Sequence, residues 1–389
     1  MSPAGPLRRE VRWSDSDAGR VVHVVGCVTD EVYSFLGPAT HALARSGLDQ
    51  SVVMIDDVQY RHHLVSLHER AELVLAPSLR NPMRQWREVL KALRQTLADS
   101  PPRAVHLHGI VPCLVGAWAV RTSGIRAAIF YSPHGSRAMG RFKWIGATLL
   151  WLFRPLLQPG SNTAIVNVPQ ERRAFDKWKS VDVIESPASD VFLTVARNEA
   201  RHPLVVTGGR EHNPRNAELL AQLAVLLTDD ALRIGFNWIG SVDPVSRQRL
   251  NAAGVSVFDV ANDAERAQRL AAGWIYVAPG GTRGFPVFLV EAMAAGLPCV
   301  AMDTPQHREV IRDGETGFLC ESERDLIGCI ATLVDSPTLR TRIGEAARKE
   351  ARERFGEGRF SSRLLAAYSF DSPTASDPDS PAPLEGAPA

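Results

Sequence analysis

The chain has 389 residues, 45% of them hydrophobic, which is enough for a large core and, at roughly 150 residues per domain, for two domains. Its 44 Lys+Arg stand against 43 Asp+Glu, a balance that leaves the molecule as a whole without an electrostatic footprint for nucleic acid. Five cysteines, Cys27, Cys113, Cys299, Cys320 and Cys329, are scattered without CxxC spacing and read as buried thiols in a reducing compartment, not as disulfides or a zinc site.

The leader, residues 1–20, lacks the apolar centre of a secretory signal and is expected to be disordered. No stretch reaches the roughly 20 apolar residues that a bilayer span needs, so the chain is expected to stay in the cytoplasm. Residues 21–190 then alternate short β-branched runs with helical patterns. "VVHVVG" (21–26), "SVVMI" (51–55), "AVHLH" (104–108), "AAIFY" (127–131) and "TAIVN" (163–167) read as buried parallel strands. After a connection near 185–202 the scheme repeats over 203–355, with "PLVVTGG", "LRIGFNWIG", "VSVFDV", "WIYVAPGG" and "LPCVAMD" as strands. Two successive βα arrays predict an α/β protein of two doubly wound, Rossmann-like domains facing a central cleft, with ligands at the carboxyl ends of the strands. Residues 356–370 read as a C-terminal helix that packs back on the first domain. The tail, 371–389, is rich in Pro, Ser and Ala and is expected to be disordered.

The densest chemistry lies at residues 281–300, "GTRGFPVFLVEAMAAGLPCV". A strand runs into a Gly-Gly turn, Pro286 suits the first turn of a helix, and that helix continues to a Gly stop. The backbone N–H groups of Gly281, Thr282, Arg283, Gly284 and Phe285 then sit where a phosphate is welcome. Glu291 is a lone acid among Val290, Ala292 and Met293, so it must be paired or strongly hydrogen-bonded. A ribose diol would supply two donors; a local basic side chain would serve as well.

The segment "GFPVFLVEAMAAGLPCVAMDTPQHREVIRDGETGFL" resembles the signature of the retaining family-four glycosyltransferases of GT-B fold, a Glu, seven residues, a second Glu, then Ala-Met-Ala-x-Gly-x-Pro-Val. The resemblance covers some 35 consecutive residues. It implies that Glu291 binds the ribose of a nucleotide sugar. The first Glu, which contacts the donor sugar in the family, is Arg283 here. Arginine only donates hydrogen bonds. It would add a cation to the diphosphate site, or read a donor that carries a carboxylate such as a uronic acid, or lie in solvent.

A second match is "VVTGGREHNPRNAELL". The family places a Gly-Arg five residues before a basic residue, and the two cations clamp the donor diphosphate; Gly209, Arg210 and Arg215 fit. Paired cations stabilise a leaving diphosphate as it gains charge, without a metal. "YSPHGSRAMG" resembles the family's Thr-x-His-Gly segment and puts His134 near the donor sugar. His106 and His108 match the His-x-His strand end and read as scaffold. The Asp-Ser-Asp at 15–17 falls in the leader, so neither a metal nor a cofactor is expected.

Residues 100–170 carry Arg103, Arg121, Arg126, Arg137, Arg141, Lys143 and Arg154 and no acid. Within them "RFKWIGATLLWLFRPLLQ" reads either as a helix lying on an anionic membrane surface, where a lipid-linked acceptor would be received, or as an ordinary crossover helix. The resemblance implies transfer of a sugar, with retention, from a nucleotide-diphosphate sugar to a lipid-linked or saccharide acceptor in cell-surface or extracellular polysaccharide synthesis. The alternatives are a nucleotide-sugar epimerase of the same fold, and a non-catalytic nucleotide-sugar-binding subunit that has lost the first Glu.

Overall fold

In the computed structural model of the chain, the described residues are 7–9, 19–26, 30–134, 162–167, 172, 180–209, 214–228, 234–281 and 284–368. They form two sheets. The first has the strands β1 (Leu7–Arg9), β2 (Arg20–Val25), β3 (Asp49–Ile55), β4 (Ala71–Ala76), β5 (Ala104–His108), β6 (Ala128–Ser132), β7 (Asn162–Val166) and β8 (Ser180–Val183), in the spatial order β1-β4-β3-β2-β5-β6-β7-β8. All neighbours are parallel except β1, which runs antiparallel to β4. The second sheet is parallel throughout, with β9 (Leu204–Gly208), β10 (Gly235–Ile239), β11 (Ser256–Phe258), β12 (Ile275–Ala278), β13 (Cys299–Met302) and β14 (Phe318–Cys320) in the order β11-β10-β9-β12-β13-β14. The chain is therefore an α/β protein of two Rossmann-like sheets, as the alternating pattern predicts.

The central strands β2, β3 and β5 are buried along almost their whole length because helices cover both faces of a parallel sheet. Helix starts follow local chemistry. Asn81 caps helix Pro82–Asp99 by accepting from the amides of Met83 and Arg84, and Ser322 and Asp325 form a reciprocal capping box on helix Glu323–Asp335.

The leader departs from expectation at two places. Leu7–Arg9 adds an edge strand, and Arg20 opens β2 with its guanidinium buried, donating to Ser51 Oγ and to Glu72 Oε2 at 2.7 Å. A short strand that pairs only along one edge gives little sequence signal, and the buried cation is held by a carboxylate from β4. The rest of the leader, the tail beyond residue 368 and the basic apolar segment 141–158 lie outside the described residues.

Between the sheets the chain passes through helix Asp190–Thr194 into β9. It ends by crossing back. Helix Pro337–Phe355 runs along helix Val287–Ala294, and helix Glu357–Tyr368 then packs against helix Asp30–Arg45 of the first unit, where Phe360, Leu364 and Tyr368 share a core with Phe35, Phe130 and Ile165. No helix of the described residues is long and apolar enough to cross a membrane.

Candidate functional site

At the carboxyl edge of the second sheet, β9 and β10 end in glycines whose backbones nearly touch. A Cβ on Gly240 would run into the carbonyl oxygen of Gly209, and both residues have positive φ, 130° and 153°. The next βα turn closes in from the other side. A Cβ on Gly280 would collide with Asn216 Oδ1, in the first turn of helix Pro214–Thr228, and Phe288 lies against Gly208 and Gly209. The structure thus brings Gly209, Gly280, the start of the helix that carries Arg215 and the start of helix Val287–Ala294 to one place. Arg215 is exposed there. Arg210, Thr282 and Arg283 lie outside the described residues. Asn216 was not legible as a site residue; its Oδ1 is buried without a hydrogen-bond partner in this corner.

Gly284, Phe285 and Pro286 are buried, and Pro286 takes the N-cap position of helix Val287–Ala294. That helix is buried on nearly every side, which is why its sequence is almost wholly apolar. Glu291 is 5% exposed, and an arginine does hold it, although from an unexpected element. Arg266, on helix Asp263–Ala272, donates from Nε to Oε2 and from Nη2 to Oε1, both at 2.8 Å. The same Nη2 reaches Asp263 Oδ1 at 2.8 Å, and the guanidinium carbon lies 5.3 Å from the centroids of Phe192 and Phe288. A two-pronged pair of this kind engages both carboxylate oxygens end-on, the approach that a cis-diol would also use. Local pairing with a basic side chain is what the structure displays at Glu291.

The first sheet carries a separate polar cluster. His106 and His108 end β5, His23 lies opposite His106 on β2, and His134 follows β6. All four are buried. His23 Nδ1 lies 3.1 Å from His108 Nε2, and His108 Nδ1 lies 2.8 Å from His134 Nε2. His106 bonds Ser132 Oγ at 2.9 Å through Nε2 and the Tyr368 hydroxyl through Nδ1, so the C-terminal helix closes over the cluster. Burial pushes His23 and His134 down to about 3 and holds His106 and His108 well below the usual imidazole range, so all four rings are neutral at pH 7. His23 gave no signal in the sequence, because a histidine inside "VVHVVG" looks like any strand interruption.

His23, His106 and His108 each offer a nitrogen within 4.8 Å of the others, the spacing of a metal-binding set. Their nitrogens are already engaged: both on His106, both on His108 and Nδ1 of His23 make hydrogen bonds, which leaves only His23 Nε2 without a partner. A metal would have to break that network.

Comparison with known proteins bears on the family and the fold. Residues 245–350 match the family described as glycosyl transferases group 1. The chain is 36% identical over 320 residues to phosphatidyl-myo-inositol mannosyltransferase of Mycobacterium leprae (strain TN), covering 77% of this chain and 79% of that one. Among solved structures, sucrose-phosphate synthase of Thermosynechococcus elongatus superposes with a TM-score of 0.71 at 16% identity, covering 90% of this chain and 98% of the other. Anabaena HepE in complex with UDP-glucose gives 0.71 at 16% identity, over 90% and 99% of the two chains. At that identity the likeness speaks for the fold, two facing Rossmann-like units of the GT-B type. The mannosyltransferase match spans most of both chains at a level that carries the family with it, and the protein is a member of the group 1 glycosyltransferases.

Proposed function

We propose that the protein transfers a sugar, with retention of configuration, from a nucleoside-diphosphate sugar to a hydroxyl of a lipid-linked or saccharide acceptor at the cytoplasmic face of a membrane, in cell-surface or extracellular polysaccharide synthesis. The observation that carries the donor half is Glu291, a buried carboxylate on helix Val287–Ala294, whose Phe288 lies against Gly209 while Gly280, before it, meets Asn216 of the helix bearing Arg215. Glu291 takes the ribose diol, and Arg266 gives up its place on the carboxylate and stays with Asp263. Arg210 and Arg215 hold the diphosphate. The acceptor oxygen bonds to the anomeric carbon on the face from which the diphosphate departs, the old carbon–oxygen bond breaks, and the acceptor proton ends on the diphosphate. No protein nucleophile, metal or cofactor takes part.

Two observations support the acceptor half. The mycobacterial relative is by name a phosphatidyl-myo-inositol mannosyltransferase, an enzyme of a lipid acceptor. Helix Pro82–Asp99 presents Arg84, Arg87, Lys91 and Arg94 to solvent at three- and four-residue spacing, one stripe of the helix, with Met83 exposed at its start. Arg94 lies 4.6 Å from the ring centroid of the exposed Trp118. A basic stripe flanked by apolar side chains fits an anionic lipid surface.

A thermal-shift screen of UDP-, GDP- and dTDP-sugars tests the donor half, since a ligand that binds only the folded chain raises its melting temperature. A shift with one base series is the expected result; no shift with any nucleotide contradicts the reading. A second reading, a nucleotide-sugar-binding subunit without turnover, is favoured by Arg283 at the position that matches the first family Glu. It predicts the same shift with no product.

A further inference from the structure

His134 is the only non-glycine with positive φ among the described residues, at 47°. An L residue keeps that left-handed backbone only where its surroundings hold it there. The surroundings are the histidine cluster. The His134 ring lies edge to edge with that of His108, centroids 5.0 Å apart and 19° between planes, and Phe35 packs edge-on against it at 5.3 Å. Asn167, after β7, places Nδ2 3.5 Å from His134 Nδ1 and 3.3 Å from Ser186 Oγ.

These contacts form a chain with a direction. A neutral imidazole has one N–H and one lone pair, so fixing one nitrogen fixes the other. With the Asn167 amide donating, His134 accepts at Nδ1 and must donate from Nε2 to His108 Nδ1. His108 in turn donates from Nε2 to His23 Nδ1, and His23 carries its own proton on the buried, unpartnered Nε2. Turning the amide over reverses all three rings together. In either direction the three share one tautomer.

We propose that His108 and His23 are positioning residues, which lock the tautomer and ring orientation of His134 so that Nδ1, on exchanging its long 3.5 Å contact with Asn167 for the donor sugar, meets it in a single state. The inference rests on the reading of His134 as a donor contact. His23 acts at second hand, by fixing which nitrogen of His108 faces His134. His106 is outside the chain; it braces His108 ring to ring at 4.1 Å and ties the cluster to Tyr368.

The test uses the full chain labelled with ¹⁵N in its histidine rings, together with steady-state turnover of whichever nucleotide sugar binds. In the wild type, two-bond ¹H–¹⁵N correlations should show His23, His108 and His134 in one common tautomer. His108→Leu should leave His134 in a mixture of tautomers and lower kcat by about 10- to 100-fold, the range for a misplaced catalytic contact, with nucleotide affinity unchanged. His108→Asn keeps a polar atom where Nδ1 faces His134 and should recover most of the loss. Mixed tautomers in the wild type, wild-type kcat in His108→Leu, or failure of His108→Asn to recover activity while it binds nucleotide normally would each overturn the proposal. Stoichiometric zinc in the purified chain would do so too, because a metal would then order the rings. If the wild type turns over no nucleotide sugar, the transferase reading fails, while the spectra still decide whether the chain of tautomers exists.

Discussion

His108 and His134 lie edge to edge in nearly parallel planes with 2.8 Å between Nδ1 of one and Nε2 of the other, in a pocket that also buries His23 and His106. Four neutral imidazoles under a helix that returns from the far end of the chain tie the stability of the first unit to pH.

The sign follows from where the protons bind. In the folded protein His23 and His134 titrate near 3 against 6.5 when unfolded, and His106 and His108 also lie well below 6.5. Below pH 6.5 the unfolded chain takes up protons that the folded chain refuses. The stabilisation is therefore complete above about pH 6.5 and is lost as pH falls from there toward 3, at about 1.4 kcal/mol per pH unit for each such histidine. The melting temperature should drop steeply between pH 7 and 5.5, and less steeply in His23→Asn. A flat profile over that range would show that the rings are not buried neutral.

Glu291 and Arg266 make opposite predictions for nucleotide binding. Glu291→Ala removes the ribose acceptor and should weaken nucleoside diphosphate binding by about 1 to 3 kcal/mol, the scale of lost charged hydrogen bonds. Arg266→Ala removes the competitor. It should destabilise the free protein, because a carboxylate 5% exposed loses its partner, yet tighten nucleoside diphosphate binding on the order of tenfold, about 1.4 kcal/mol. Calorimetry on both variants checks this. Weaker binding in Arg266→Ala would mean that Arg266 orients the carboxylate and does not compete for it.

Arg210 and Arg215 should act on the transition state more than on the ground state, since charge on the diphosphate grows as the sugar leaves. Alanine at either position should lower kcat more than it raises the donor KM. Full turnover at saturating donor would reduce them to binding residues.

By its resemblance to the family signature, Arg283 replaces the carboxylate that the family presents to the sugar. If it reads an acidic sugar, the wild type prefers a UDP-uronate over the neutral hexose, and Arg283→Glu inverts the order because like charges then meet. Competition binding against free UDP separates this from simple diphosphate support, in which every ligand weakens alike.

The sheets were legible where strands are buried on both faces, because "VVHVVG" and "PLVVTGG" have no other explanation. β4 was not, since Glu72 interrupts its apolar run and is tolerated only through Arg20, far away in sequence. β8 escaped for a similar reason: Asp182 sits in a half-buried edge strand. At the site, Glu291 announced itself as a lone acid in an apolar helix. Its partner did not. Arg266 lies in "DAERAQRL", where acids and bases at helical spacing suggest surface pairs, and one does form between Glu265 and Arg269. Contacts made across elements, like His23 with His108, leave no local pattern to read.

Acceptor-dependent transfer is the claim on which the rest depends. The purified chain, given the nucleotide sugar that stabilises it and anionic vesicles carrying a lipid-linked saccharide, should release nucleoside diphosphate only when the acceptor is present, and the product's anomeric coupling in proton NMR should match that of the donor. Inverted coupling would contradict the retaining mechanism, and donor conversion without acceptor, or donor binding with no product at all, would contradict the transferase itself.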